Sequence, residues 1–507
     1  MSTPSRVIPI TPLAVEPAQR IHARRASGFF TRWRLALVLL TQLVFYGVPW
    51  LTIDGRQAVL FDLAHQRFYF FRTLLLPQDL IYLTGLLIAS AMLLFLVTVV
   101  VGRVWCGFAC PQTVYTEMFM AIERRMEGDR STRLRLDQAG WGPHKIARRG
   151  GKHLAWALLA LWTGFSFVGW FTPIRELVHH LPTLSMGPWN TFWILFYASI
   201  TYLHAGVLRE RICQHACPYG RFQSAMLDRD TLVVTYDQTR GEPRGRHRSA
   251  AARTSVAEAG AAAPAAAQGD CIDCTLCVQV CPTGIDIRQG LQSACISCGV
   301  CIDACNSIMD KIQAPRGLIR FSPLAETVTT QRVPATAAPA PTIAPAPRPP
   351  GLPPAPAKIS PWRKPRVAVY GGVIVAVLAL MAVGLAQRPE LRVDVQRDRG
   401  VMSRYTPQGD LENLYRLQIR SASLSDQPLQ IEVTTDAATP GTGLTLAHAR
   451  ADPVLPAAGT LYLPVSVRLS AQAAQALRGQ TVPVRFEVVG EHAARAVLAH
   501  STFRVPR

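Results

Sequence analysis

A polytopic α-helical membrane protein of five spans, carrying a two-cluster bacterial ferredoxin-like α+β domain and a C-terminal immunoglobulin-like β-sandwich, is the fold class this sequence predicts. Three observations predict it: five apolar stretches nearly free of charge, eight cysteines in two runs of identical spacing, and a C-terminal region of alternating polarity.

The apolar stretches are 35–51, 80–102, 154–174, 189–208 and 367–386. At about 17 to 23 residues each they are near the length a helix needs to cross a bilayer. A buried core helix could mimic one such stretch, but not five in one chain. Lysine and arginine beside them set the orientation, because cytoplasmic loops keep an excess of both. Arg20, Arg24, Arg25, Arg32 and Arg34 precede the first stretch. Arg103, Arg124, Arg125, Arg130, Arg133, Arg135, Lys145, Arg148 and Arg149 lie between the second and third, and Arg363, Lys364 and Arg366 precede the fifth. The 52–79 loop is balanced, and Glu176 offsets Arg175 in 175–188. The expected topology has the N-terminus inside, the cysteine-rich domain inside and the C-terminal domain outside. Residues 1–34 are long and polar, and no small-residue cleavage site follows position 51, so the first stretch is read as an uncleaved anchor.

The formal net charge of +20 sits mostly in these loops and in two linkers, where topology and anionic lipid account for it. No pattern resembles a helix-turn-helix or an RNA-binding sheet, so nucleic acid is rejected as a partner and the bilayer is retained.

Cys271, Cys274, Cys277 and Cys281 form C-x-x-C-x-x-C-x-x-x-C, and Cys295, Cys298, Cys301 and Cys305 repeat it. Zinc sites also use C-x-x-C pairs, but usually with a longer spacer between the pairs. Here a third cysteine follows at once and the whole pattern recurs, as in bacterial proteins with two [4Fe–4S] clusters, where the fourth thiolate of each run reaches the other cluster. Cys271, Cys274, Cys277 and Cys305 are therefore assigned to one cluster, and Cys295, Cys298, Cys301 and Cys281 to its partner. Pro282 follows the first run, whereas Asn306 follows the second. The implied chemistry is transfer of single electrons.

The other four cysteines also repeat. Cys106 and Cys110 follow the second apolar stretch, Cys213 and Cys217 the fourth, and each pair is C-x-x-x-C-P. A spacing of four predicts both thiols on one helix face. Pro111 and Pro218 predict that the helix ends or kinks there. Arg103, Arg209, Arg211 and Arg221 are expected to favour thiolate over thiol. Three readings stay open: a soft ion such as Cu(I), a further redox or iron–sulfur centre, or apolar packing. His215, inside the second motif, falls on another helix face and is read as solvated. His204 alone lies well inside a span, so no haem pair is expected.

Residues 237–269 and 326–366 are rich in Ala and Pro with few large apolar residues, and are read as tethers on which the 270–325 domain swings. The resulting layout is a 1–34 cytoplasmic segment, a 35–236 membrane domain with four spans, the 237–269 linker, the 270–325 ferredoxin-like domain, the 326–366 linker, the 367–386 span and the 387–507 sandwich. From Glu390 onward, segments such as LRVDVQR and VPVRFEVVG alternate in polarity between turn residues. This region contains no cysteine, so its stability comes from packing.

In combination these features resemble the CcoG/FixG/RdxA family of cbb3-type cytochrome c oxidase accessory proteins. The membrane half is also similar to NapH-type electron-transfer subunits, which lack the exported domain. The family resemblance implies a bacterial inner-membrane iron–sulfur oxidoreductase that reduces Cu(II) to Cu(I) for oxidase assembly. It implies two [4Fe–4S] clusters on the eight ferredoxin cysteines and copper at Cys106, Cys110, Cys213 and Cys217. Expected partners are a cytosolic or quinol electron donor and a copper chaperone or cbb3-type oxidase subunits. Two rivals remain: an electron conduit to a partner reductase, and a non-enzymatic assembly scaffold.

Overall fold

The computed structural model describes residues 21–183, 185–245, 269–324, 364–398, 403–435, 444–448, 453–490 and 496–506. The chain divides into two compact units: 1–45, 90–167 and 187–374 form one, and 46–89, 168–186 and 375–507 the other.

Among the described residues, four helical segments are long and apolar enough to cross a membrane: Phe29–Trp50, Pro77–Val101, Pro188–Leu208 and Pro365–Ala386. Their large side chains point outward, among them Leu39, Leu43, Ile81, Leu87, Phe192, Leu195, Val375 and Leu380. A water-soluble protein would bury such surfaces; a bilayer covers them. The expected third span ends differently. Its helix runs Pro143–Val168, and a separate helix, Ile174–His180, follows a turn. Its first turns carry Lys145, Arg148, Arg149 and Lys152, leaving an apolar part from Leu154 to Val168. That part is about 22 Å long at 1.5 Å per residue, against about 30 Å of hydrocarbon. The Pro188–Thr201 helix continues as a π-helical stretch, Tyr202–Leu208.

In the first unit the cysteine-rich domain begins earlier than expected. Strand Leu232–Tyr236 pairs antiparallel with Ile319–Pro323, so its sheet uses residues upstream of the predicted linker. Residues 237–245 are folded too: Asp237 caps the Gln238–Gly241 helix, and the Asp237 N–H donates to the Leu318 carbonyl at 2.9 Å. Of the two expected linkers, 246–268 and 326–363 lie outside the described residues, and the end of the second already enters the Pro365–Ala386 helix. The domain is also docked rather than swinging. Asp303 on the Val300–Lys311 helix accepts from the N–H groups of Phe30 and Thr31, at 3.3 and 2.8 Å. It thereby caps the first turn of the Phe29–Gly47 helix, where amides have no partner within the helix. Phe30 packs on Phe321 with ring centroids 5.4 Å apart, and the Arg24 N–H donates to the Gln279 carbonyl at 2.8 Å.

The second unit contains the sandwich. One sheet orders strands Leu444–His448, Thr460–Leu469, Leu411–Ser421 and Leu391–Arg397, with Arg404–Tyr405 also on Leu411–Ser421. The other orders Val454–Leu455, Gln427–Thr435, Thr481–Gly490 and Val497–Arg504. Alternate residues Tyr415, Leu417 and Ile419 of one sheet and Val484, Phe486 and Val488 of the other are buried in one core, as a period of two requires. Sequence patterning missed a three-stranded sheet, Val59–Asp62, Arg67–Phe70 and Thr73–Leu75, between the first two apolar helices.

Candidate electron-transfer and metal site

The two ferredoxin runs share a backbone design. Asp273 and Thr275 in the first, and Ser297 and Gly299 in the second, all have positive φ, at 52°, 55°, 51° and 71°. Alternating right- and left-handed residues turn successive amides toward one concavity, a geometry suited to negatively charged groups such as iron–sulfur clusters. Each run then enters a helix, Leu276–Gln279 or Val300–Lys311.

Two cavities follow. One is lined by Cys271, Cys274, Cys277 and Cys305 with Tyr236, Ile308 and Leu318. The other is lined by Cys281, Cys295, Cys298 and Cys301, with Cys277 reaching it as well. The fourth cysteine of each run thus lies in the cavity of the other. The amides of Val278, Ser297, Val300 and Ile319 donate to the sulfurs of Cys277, Cys295, Cys298 and Cys305, a hydrogen-bond set that fits a cluster thiolate. Among the described residues, no three His, Cys, Asp or Glu side chains converge on one ion position. Burial pushes Cys277 up to about 11 and Cys295 and Cys305 up to about 12. Without metal these are thiols at neutral pH, so loading iron displaces protons. Asn306, standing where the first run has proline, accepts from the Gly317 N–H at 3.1 Å and ties the helix to the loop before strand Ile319–Pro323.

The C-x-x-x-C-P motifs do not form regular helix faces. Cys106 lies in the short Val104–Phe108 helix, but Cys110 is extended, at φ −62° and ψ 129°, and Pro111 starts a new helix, Pro111–Glu127. Cys213 lies in a π-helical turn, Ile212–Ala216, and Cys217 is extended before the Pro218–Met226 helix. The prolines end each helix and begin the next, which puts the second thiol of each pair at a helix start. The two motifs still lie near one another: Cys110, Cys213 and Cys217 all act electrostatically on Cys106. Burial, reinforced by the neighbouring sulfurs, pushes Cys106 up to about 12 and Cys213 up to about 11. Arg103 opposes the rise at Cys106 without reversing it, so Cys106 and Cys213 are protonated thiols rather than the expected arginine-stabilised thiolates. The side chain of Arg221 is outside the described ones. His215 is exposed.

Residues that patterning missed hold the motifs together. The Gln112 amide donates to the carbonyls of His204 and Arg209 at 2.9 and 3.1 Å, joining one motif to the approach to the other. Arg209 has φ 43°, and its guanidinium meets Glu123 at 2.8 Å. Glu123 is fully buried and also faces Arg133 at 3.5 Å and Lys152 at 3.8 Å, while Lys152 meets Glu127 at 2.6 Å. Burial alone would raise Glu123, but Arg209, Arg133 and Lys152 together hold it below the usual carboxylate range. The Cys106 thiol donates to Gln223 at 3.6 Å, and Gln223 reaches the Gly102 carbonyl at 3.3 Å. Gly102 has φ +58°, and a Cβ there would stand 2.9 Å from the Leu232 carbonyl, so the turn into the first motif requires glycine.

Comparison with known proteins matches three family models: "4Fe-4S dicluster domain" over 208–323, "4Fe-4S binding domain" over 83–127, and "IG-like fold at C-terminal of FixG" over 381–506. The chain is 39% identical over 414 residues to "Nitrogen fixation protein FixG" of Rhizobium meliloti, covering 80% of this chain and 77% of that one. It is 36% identical over 427 residues to "Protein RdxA" of Cereibacter sphaeroides, covering 82% of each. A crystal structure of a FixG-related protein from Vibrio parahaemolyticus aligns with 23% of this chain and 95% of its own, at 16% identity and TM-score 0.19.

Proposed function

The chain belongs to the FixG/RdxA family of iron–sulfur oxidoreductase-like proteins, and from that premise we propose that it reduces Cu(II) to Cu(I) for assembly of a cbb3-type cytochrome oxidase. One observation carries the reading. The two C-x-x-x-C-P motifs, carrying the soft thiols Cys106, Cys110, Cys213 and Cys217, lie near one another, and Cys106 packs on the apolar cluster that contains Cys298. Thiolates favour Cu(I) over Cu(II), so such a set stabilises the product of reduction. Cys271, Cys274, Cys277 and Cys305 would hold one cluster, and Cys281, Cys295, Cys298 and Cys301 the other; when bound, the clusters supply one-electron reducing power. The chain's own contribution is positional. Gln112 and the Glu123–Arg209 pair fix the second motif against the first, and Gln223 orients the Cys106 thiol. The protons that Cys106 and Cys213 carry at neutral pH leave as copper binds, so copper affinity rises with pH.

Five spans are part of the proposal. Cys106 follows one apolar helix and Cys213 follows another, so the two motifs share a membrane face only if the chain crosses once more between them. Pro143–Val168 is the segment available; its apolar part is short, and its basic first turns reach the interface. With arginine-rich loops inside, this puts the N-terminus and the cysteine sites in the cytoplasm of a bacterial inner-membrane protein and the sandwich in the periplasm. A cytosolic or quinol donor upstream, and a copper chaperone or oxidase subunits downstream, complete the scheme.

A second reading has its own support. The "4Fe-4S binding domain" match covers Cys106 and Cys110, and the dicluster match begins at 208, before Cys213 and Cys217. In this reading the four cysteines hold a third cluster that passes electrons onward. Iron content separates the two: chain reconstituted anaerobically is expected to hold about eight irons with two clusters, whereas about twelve would favour three.

A further inference from the structure

We infer that Gly107 and Arg103 form the junction through which electrons leave the cluster domain, and that they leave by way of the Cys281, Cys295, Cys298 and Cys301 site. The inference rests on the reading that Cys106, Cys110, Cys213 and Cys217 hold the electron acceptor, and it adds the route.

Gly107 is buried next to Cys106. A Cβ at position 107 would stand 2.7 Å from the Ile296 carbonyl, 2.8 Å from the Cys298 Cα and 3.0 Å from the Cys298 N. Real Cβ contacts are longer than this, so only glycine lets the first C-x-x-x-C-P motif seat directly on the backbone of the Cys295–Cys301 run. Cys106 packs beside it in one apolar cluster with Ile296, Cys298, Val300 and Val280. Arg103 fastens the same contact from the other side. Its guanidinium donates to the Ser293 carbonyl, two residues before Cys295, and to the Gly220 carbonyl, three residues after Cys217. One side chain therefore ties the cluster loop to the second motif.

The other cluster site adjoins this one. Cys277 borders both cavities, and Cys274, in the Cys271, Cys274, Cys277 and Cys305 set, is exposed. The order is thus an exposed entry at Cys274, the first site, the second site, the Gly107–Cys298 contact, and the four-cysteine acceptor. One electron from an external one-electron or quinol-class donor travels this route for each Cu(II) reduced to Cu(I). Gly107 and Arg103 act as positioning residues, since neither touches the acceptor.

The test uses the full-length, cluster-loaded chain in detergent under anaerobic conditions, comparing Gly107→Val with the wild type and with Arg103→Gln as a second variant. Amide hydrogen exchange over 293–300 is expected to be about tenfold faster in Gly107→Val, with iron content unchanged. Reoxidation of the reduced clusters by added Cu(II) is expected to slow by about a hundredfold, as misplacement by an ångström at a reacting contact can do. Reoxidation by ferricyanide, which can reach the exposed Cys274 edge, is expected to keep its rate. Arg103→Gln is expected to shift both junction readouts in the same direction by less. The exchange readout needs no copper: a wild type that fails to reduce Cu(II), with protection lost in Gly107→Val, overturns the copper reading and still supports the contact. Unchanged protection in Gly107→Val, or Cu(II) reduction at the wild-type rate after protection is lost, overturns the junction.

Discussion

Replacing Cys106, Cys110, Cys213 and Cys217 together by serine is expected to lower Cu(I) affinity by about a thousandfold or more, ~4 kcal/mol. Iron content is expected to hold at about eight per chain. The reason is donor softness. Serine keeps the size and most of the hydrogen bonding of cysteine, but its oxygen is a hard donor that binds Cu(I) poorly. Its substitution leaves the Gln112 and Glu123 contacts that shape the motifs in place. Competition against a Cu(I) chelator measures the first quantity, and iron analysis of the same sample the second. Copper affinity that survives all four substitutions would remove the metal from this site, while a loss of about four irons would favour the third cluster.

Glu123→Ala is expected to have the largest effect on folding. It would leave Arg209, Arg133 and Lys152 facing one another in a buried site without their shared carboxylate. Breaking one side of such a buried set costs about 3–5 kcal/mol, because the remaining charges stay desolvated. The unfolding midpoint in detergent is expected to fall by roughly 10 °C. The second motif is expected to loosen as well, because Arg209, at positive φ, is anchored by this carboxylate. Glu123→Gln retains a hydrogen-bond acceptor for Arg209 and is expected to lose less. The sign of the pH dependence follows from the lowered carboxyl. The stabilisation is fully present above the unfolded-chain value of about 4.3 and is lost as the pH falls through the lower folded value. A midpoint unchanged in Glu123→Ala would mean that the network contributes nothing to stability.

The sequence made the chemistry more legible than the geometry around it. Eight cysteines at fixed spacing carry their partition between two sites in the pattern itself, and the structure sorts them into two cavities along the same lines. Alternating polarity marked the sandwich because Tyr415, Leu417 and Ile419 obey a period of two on a half-buried sheet. Helix periodicity failed at the C-x-x-x-C-P motifs. A spacing of four implies a shared face only inside a regular helix, and here a proline follows each second cysteine while a π-helical turn carries Cys213. The thiolate expectation failed for a related reason: arginines near in sequence were visible, but the burial that outweighs Arg103 at Cys106 was not.

Composition misled in two places. Residues 237–245 look like the start of a polar tether, yet Asp237 and Arg240 bind them to the cluster domain. The 154–174 stretch reads as one apolar span, but its helix ends at Val168, before the turn that leads to Ile174. Docking of the cluster domain left no periodic signal, because it depends on single residues far apart in sequence: Asp303 on the Phe29–Gly47 helix, and Gly107 beneath Cys298.

Anaerobic addition of one equivalent of Cu(II) per electron held by the reduced clusters tests cupric reduction by this chain. Cluster absorbance and Cu(I) captured by a chelator are followed in the same sample. The account predicts that the clusters reoxidise as Cu(I) appears, one electron for each ion, and that serine at Cys106, Cys110, Cys213 and Cys217 uncouples the two signals. Clusters that stay reduced in the presence of Cu(II) would contradict it and leave the conduit or the scaffold as the role of this chain.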